Sequence, residues 1–104
     1  MRDLNKVIVS GRAVKEPEFK ELDGLKIATF TLACNYDQTT NFFPVTCFNG
    51  LAEIASQYVT KGKAIQLEGI LKQNRYQDKE GRNRSRLNII AQKINLRGGK
   101  KAEG

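Results

Sequence analysis

Residues Asn41–Arg86 read NFFPVTCFNGLAEIASQYVTKGKAIQLEGILKQNRYQDKEGRNRSR, and their order decides the fold: a strand, a short helix, a glycine, then a long basic hairpin. From Phe42 to Phe48 the two-residue period of a strand puts Phe42, Pro44, Thr46 and Phe48 on one face, and Phe43, Val45 and Cys47 on the other. Both faces are partly apolar. A barrel has only one inside, so one set must point outward. Either those outward aromatics pack beneath a loop or a partner subunit, or they form a platform for stacking. At about 3.3 Å per residue, Phe42 and Phe48 stand roughly 20 Å apart.

The helix follows directly. Leu51, Ile54, Ala55, Tyr58 and Val59 form one apolar stripe at helical spacing, with Asn49 as the expected N-cap and Gly62 as the expected stop. So short a helix is marginal alone, so its stripe must cover something, and the open end of a barrel is the expected place. Ile65, Leu67, Gly69 and Leu71 then alternate with polar neighbours, and Gly69 supplies the bend or bulge that a small barrel needs. Asp78-Lys79-Glu80-Gly81 is a turn between two arms. One arm carries Lys72, Arg75 and Tyr76, and the other carries Arg82, Arg84 and Arg86. An aromatic among cations on an exposed hairpin suits a polyanion with stackable bases.

Working outward, Lys6–Arg12 is a first strand with a possible bulge at Gly11, and Ala13–Glu18 is a connection broken by Pro17. Phe19-Lys20 begins a short extended arm, and Leu22-Asp23-Gly24 is a turn. A second strand runs from Leu25 to Cys34, with Ala28, Phe30, Leu32 and Cys34 as its core face. Asn35–Asn41 reads as a polar loop containing Tyr36. Leu87–Ala91 continues the hairpin as a fifth strand, with Ile94 and Leu96 as a last extended piece and a basic, glycine-rich tail over 98–104. Five strands with the one clear helix between the third and fourth is the order of an all-β, partly open Greek-key barrel, the OB-fold. The single domain spans residues 1–97.

Charge narrows the partner. Of 18 basic and 11 acidic residues, twelve basic and four acidic lie from Lys61 onward, so the net charge of +7 belongs to the second half. That asymmetry points to nucleic acid or an anionic surface, the alternative being a solvated face kept for solubility. There is no histidine, no Cys-x-x-Cys and no phosphate-binding glycine loop, so no catalysis, metal or cofactor is expected. Cys34 and Cys47 read as small buried thiols, or as a facing pair on neighbouring strands. No apolar run is long enough for a membrane span and no signal peptide is evident, so a cytoplasmic protein is expected.

Several stretches resemble the bacterial single-stranded DNA-binding proteins. Asn5–Arg12 with Glu16-Pro17-Glu18, Thr29–Ala33 and Phe48–Glu53 are similar to that family's opening strand, second strand and strand-to-helix junction. Tyr58–Lys63, Leu67–Leu71 and Tyr76–Gly81 complete a resemblance that covers about Leu4 to Arg97. It implies base stacking on Phe42, Phe48 and Tyr76, with Tyr36 as a further match in a shortened loop. It also implies a homo-oligomer, a tetramer built partly by first-strand pairing, with Phe43 at an interface, working at the nucleoid in DNA replication, recombination or repair. Phosphate contact is expected from Lys61, Lys63, Lys72, Arg75, Arg82, Arg84 and Arg86, and more weakly from Arg12 and Lys6. Family members resemble one another in an acidic C-terminal tip that recruits other proteins. This sequence ends on a basic stretch instead, as a short form or a truncation would. Two rivals are a dimeric replication-restart protein resembling primosomal replication protein N, and an OB assembly module whose aromatics are an interface.

Overall fold

The computed structural model describes residues 2–96; the tail expected over 98–104 and the domain limits at 1 and 97 lie outside the described residues. The elements are β1 (Val7–Ala13), β2 (Glu18–Leu22), β3 (Leu25–Tyr36), β4 (Thr39–Phe48), α1 (Gly50–Tyr58), β5 (Ala64–Gln77) and β6 (Asn83–Leu96). The strands run β1-β5-β6-β4-β3-β2 across the sheet, and β1 also pairs with β3, which closes a ring of five. One edge of β3 is shared: residues 25–29 hold β2, and Leu32 and Ala33 hold the end of β1. β2 is therefore a sixth, exposed strand outside the ring, where the sequence predicts only a short extended arm. The parallel seam between β4 and β6 has just two register pairs, Val45 with Ile89 and Thr46 with Ile90.

One face of each ring strand makes the core. Ala28, Phe30 and Leu32 from β3, Val45 and Cys47 from β4, Ile65 and Leu67 from β5, and Ile89 and Ala91 from β6 are buried together. Cys34 is half-buried, and it lies opposite Asn41 while Cys47 lies opposite Ala28, so the two thiols do not face each other. Burial pushes the Cys47 thiol up to about 12.

The segment Asn35–Asn41 departs from its sequence reading. It is a tight hairpin: Tyr36 pairs with Thr39, and Asp37 and Gln38 both take positive φ, 53° and 67°. Two consecutive left-handed residues match the twist of the strands they join, so β3 and β4 extend to the turn. Polar side chains hid the alternation.

The helix is rotated from its predicted stripe. Ala52, Ala55 and Val59 are buried with Leu51 half-buried, while Ile54 and Tyr58 stay exposed. Small side chains let the helix sit close against β3, β4 and β6, and the larger ones flank the contact. Asn49 precedes the helix but its side chain caps nothing; its Oδ1 accepts from the Lys26 amide at 3.3 Å, tying the helix start to β3. Gly62 lies beyond the helix end, at φ +82° in the turn closed by the Lys63 amide on the Thr60 carbonyl. Its own amide donates to the Ala13 carbonyl at 2.8 Å.

Both strand glycines mark close backbone approaches. A Cβ at Gly69 would lie 2.1 Å from the Ile90 carbonyl oxygen, at the register shift between Glu68 and Gly69 in the β5–β6 ladder. Gly11 makes no bulge with β5, where the register is continuous; a Cβ there would lie 2.2 Å from the Ala33 carbonyl oxygen. Gly69→Ala is therefore expected to destabilise the fold by about 1–3 kcal/mol, because the clash is with backbone that cannot swing away. Gly50→Ala, with nothing within 4 Å of the added carbon, is the matched control in urea unfolding, with a change within about 0.5 kcal/mol.

Candidate nucleic-acid interface

With Val45 and Cys47 inside, the residues of β4 turned away from the core are Phe42, Pro44, Thr46 and Phe48. Phe43, on the opposite face, is half-buried and packs against the core cluster. The register extends the outward face sideways. On β3, Ile27 stands beside Phe48, Thr29 beside Thr46, Thr31 beside Pro44 and Ala33 beside Phe42. Arg12 on β1 is opposite Ala33, so Arg12 and Phe42 lie roughly 10 Å apart across a small side chain.

The hairpin joins the same face through one polar link. Asn88 Nδ2 donates to Thr46 Oγ1 at 3.0 Å, and Thr46 Oγ1 donates to Asn88 Oδ1 at 3.2 Å. Cross-strand pairs then follow toward the tip: Lys72 with Asn88, Asn74 with Arg86, Tyr76 with Arg84. Arg75, opposite Ser85, is on the other face, where its guanidinium reaches Gln73 at 3.4 Å. Phe42 is 61% exposed, Tyr76 47% and Phe48 38%. Tyr36 is open at 77%, but its register with Thr39 places it on the face of Leu32 and Phe43, away from the other three aromatics. Between the base of the hairpin and residues 14–18 lies a groove of about 410 Å³ floored by β3 and β4.

Residues 4–97 match the Single-strand binding protein family. The chain belongs to that family. It is 34% identical to a single-stranded DNA-binding protein of Thermotoga maritima, over 99% of this chain and 80% of the relative. It is 33% identical to proteins of the same name from Neisseria meningitidis serogroup A and Treponema pallidum, covering 93% and 94% of this chain. The chain spans only 62% and 60% of those two relatives. Family membership assigns the five-membered ring to the OB-fold and sets the protein among non-enzymatic DNA-binding proteins. Among the described residues no acidic, cysteine or histidine group is placed to hold a metal ion, and no helix is long and apolar enough to cross a membrane.

In this family member the cations of the hairpin are not equivalent. Asp78 organises the tip: Oδ1 accepts from the Glu80 and Arg82 amides at 3.0 and 2.9 Å, and Oδ2 lies 3.0 Å from Arg84 Nε and 3.5 Å from Arg82 Nε. Arg82 also pairs with Glu80. Arg82 and Arg84 thus start out engaged, whereas Lys72 and Arg86 have no side-chain partner among the described residues. Arg12 donates to the Gly62 carbonyl at 3.0 Å. Lys61 and Lys63 sit in the turn after α1, where the Glu16 carboxylate accepts from the Lys61 amide at 3.4 Å. Lys6 is paired with Glu68 at 3.2 Å. Sequence reasoning missed Lys15, which lines the groove because the Val14 amide docks on the Thr31 carbonyl at 2.9 Å. No local pattern signals such a long-range contact.

The Arg84 hydrogen bond, then the Arg82 amide, hold the Asp78 carboxyl below its ordinary 3.8. A depressed carboxylate steadies the folded tip above that ordinary value, and its support is lost as the pH falls through the lowered folded value. Asp78→Asn keeps an acceptor for the two amides but removes the charge. The variant is expected to abolish the acid-induced loosening of the tip below about pH 4, read as amide exchange at Gly81 and Arg82, and to free Arg84 at neutral pH.

Proposed function

We propose that this protein binds single-stranded DNA without regard to sequence, stacking bases on Phe42, Phe48 and Tyr76 while basic side chains neutralise the phosphates. One observation carries the reading: three outward aromatics share a continuous face with the unpaired cations Lys72 and Arg86, and with Arg12 at its edge. Stacking is indifferent to base identity because every base has a π-face, and phosphate contact carries no sequence information. Arg84 joins when a phosphate displaces Asp78, and Lys61, Lys63, Arg75 and Arg82 add to the positive field. The names of the relatives support the ligand.

The same reading makes the protein a homo-oligomer, a tetramer, serving DNA replication, recombination or repair at the nucleoid. β1 supports this assembly: it uses one edge against β5 over residues 7–12, while its other edge meets β3 only at Arg12 and Ala13. The remaining edge offers strand pairing to a second copy. Titration with fluorescently labelled oligo-dT, against matched duplex DNA, tests the ligand, and sedimentation of the same sample tests the assembly. Tight binding to the single strand and weak binding to duplex is the expected result. Equal, weak binding to both would reduce the hairpin to a general polyanion surface, and no binding would favour the assembly-module reading.

A further inference from the structure

The groove beside the platform differs from the stacking sites in chemistry. A row of polar side chains crosses its floor from strand to strand: Glu18 on β2 opposite Thr29 on β3, Thr29 opposite Thr46 on β4, and Thr46 bonded to Asn88 on β6. Lys15 and Arg86 also line it. Among the described residues only Thr46 and Asn88 are bonded to each other; Glu18, Thr29, Lys15 and Arg86 have no side-chain partner. Thr46 is two residues from Phe48 along β4, or roughly 7 Å. A nucleotide adjoining a base stacked on Phe48 therefore reaches this row.

An unpaired carboxylate on the wall of a DNA-binding groove repels phosphate, so the backbone of the strand cannot run across Glu18. What suits the position is a hydrogen-bond donor on a base edge. An ionised carboxylate only accepts, while the Asn88 amide beyond it retains donor capacity. Cytosine and adenine present an exocyclic amine, whereas thymine presents a carbonyl oxygen at the corresponding place.

We propose that the groove is a base-edge pocket that admits an amino-bearing base, cytosine or adenine, with its exocyclic amine on Glu18. Lys15 and Arg86 hold the flanking phosphates. The pocket rests on the single-strand reading above and adds to it one site with a preference, so binding is sequence-tolerant but not base-blind.

Oligo-dC and oligo-dU test it, since their bases differ only along one edge, an amine beside an accepting ring nitrogen in cytosine and a carbonyl beside a ring N–H in uracil. The intact protein is expected to bind oligo-dC roughly three- to tenfold tighter, the range of a charge-assisted hydrogen bond weakened by solvent. Glu18→Gln should bring the ratio to near unity, because an amide turns to meet either group. It should do so while tightening oligo-dU binding. Glu21→Gln removes the same charge from β2 at a position outside the groove and should leave the ratio unchanged. Equal, tight binding of both oligonucleotides by the intact protein would overturn the pocket and leave the proposed function standing. Binding of neither would overturn both. A ratio that survives Glu18→Gln, or is lost in Glu21→Gln, would also remove Glu18 from the role.

Discussion

Replacing Phe42 and Phe48 together with alanine is expected to weaken oligo-dT binding by at least about thirtyfold, and by far more if each ring stacks fully. Alanine at such a site costs on the order of 1–3 kcal/mol, and each 1.4 kcal/mol is about a factor of ten. Along β4 the two rings are roughly 20 Å apart and share no partner, so their effects should add. Both are exposed, and the core residues between them, Val45 and Cys47, are untouched. The thermal midpoint should therefore stay close to that of the parent, which separates loss of a contact from loss of the fold. Adding Tyr76→Ala should cost a further increment of similar size at the hairpin. An unchanged affinity in the double variant would show that these rings serve an interface between proteins.

Salt should act as strongly as the aromatics. For single strands the affinity falls with salt at a logarithmic slope of about −0.7 per neutralised phosphate, so six contacts imply a loss of roughly 10²- to 10³-fold between 50 and 200 mM. The unpaired side chains are the ones to remove. Lys72→Ala and Arg86→Ala are each expected to flatten the slope by about 0.7. Arg82→Ala is expected to change it less, because that guanidinium begins bonded to Asp78 and Glu80. A parent slope near zero would mean that phosphates are not contacted. Equal changes from Arg82 and Arg86 would mean that the tip opens completely on binding.

The ring of five strands was legible because strand parity is a local property. Ala28, Phe30, Leu32 and Cys34 stand out as a core face by size, and all but the half-buried Cys34 are buried, while the alternation of Ile65, Leu67 and Gly69 has no competing helical period. Phe42 and Phe48 could be put on one face by counting, but which face turned outward depended on Val45 and Cys47 meeting β3 and β6. The helix was harder. Its largest apolar residues suggested a stripe, yet the barrel end selects small residues that allow close approach, so Ala52 replaced Ile54 on the inside.

The polar hairpin at Asp37-Gln38 was missed because its turn lacks glycine, and nothing short of the backbone geometry reveals that both residues are left-handed. At the candidate site, residue types pointed to the platform but could not rank the cations. That ranking depends on Asp78, which in the sequence is only part of a turn signal and in the structure holds Arg84 and Arg82. Tyr36 stood near the other aromatics by resemblance, and register moved it to the opposite face. The groove depended entirely on contacts between Val14–Glu18 and strands distant in the sequence, so it was invisible before the fold was known.

The short β4–β6 seam also governs how the molecule forms and comes apart. β5 and β6 can zip together from their own turn, and β3 and β4 from theirs, on the microsecond timescale of hairpins. Joining the two hairpins at Val45–Ile89 and Thr46–Ile90, and then bringing β1 to β5 across more than fifty residues, is the slow, entropically costly step. The reverse journey is expected to begin at one of the two closures of the ring that have only two register pairs, β4–β6 or β1–β3. A strand of nucleic acid lying from Phe48 across Thr46 and Asn88 to the hairpin would bridge the β4–β6 seam like a staple. Its residence time and the lifetime of the closed barrel would then be set by the same event.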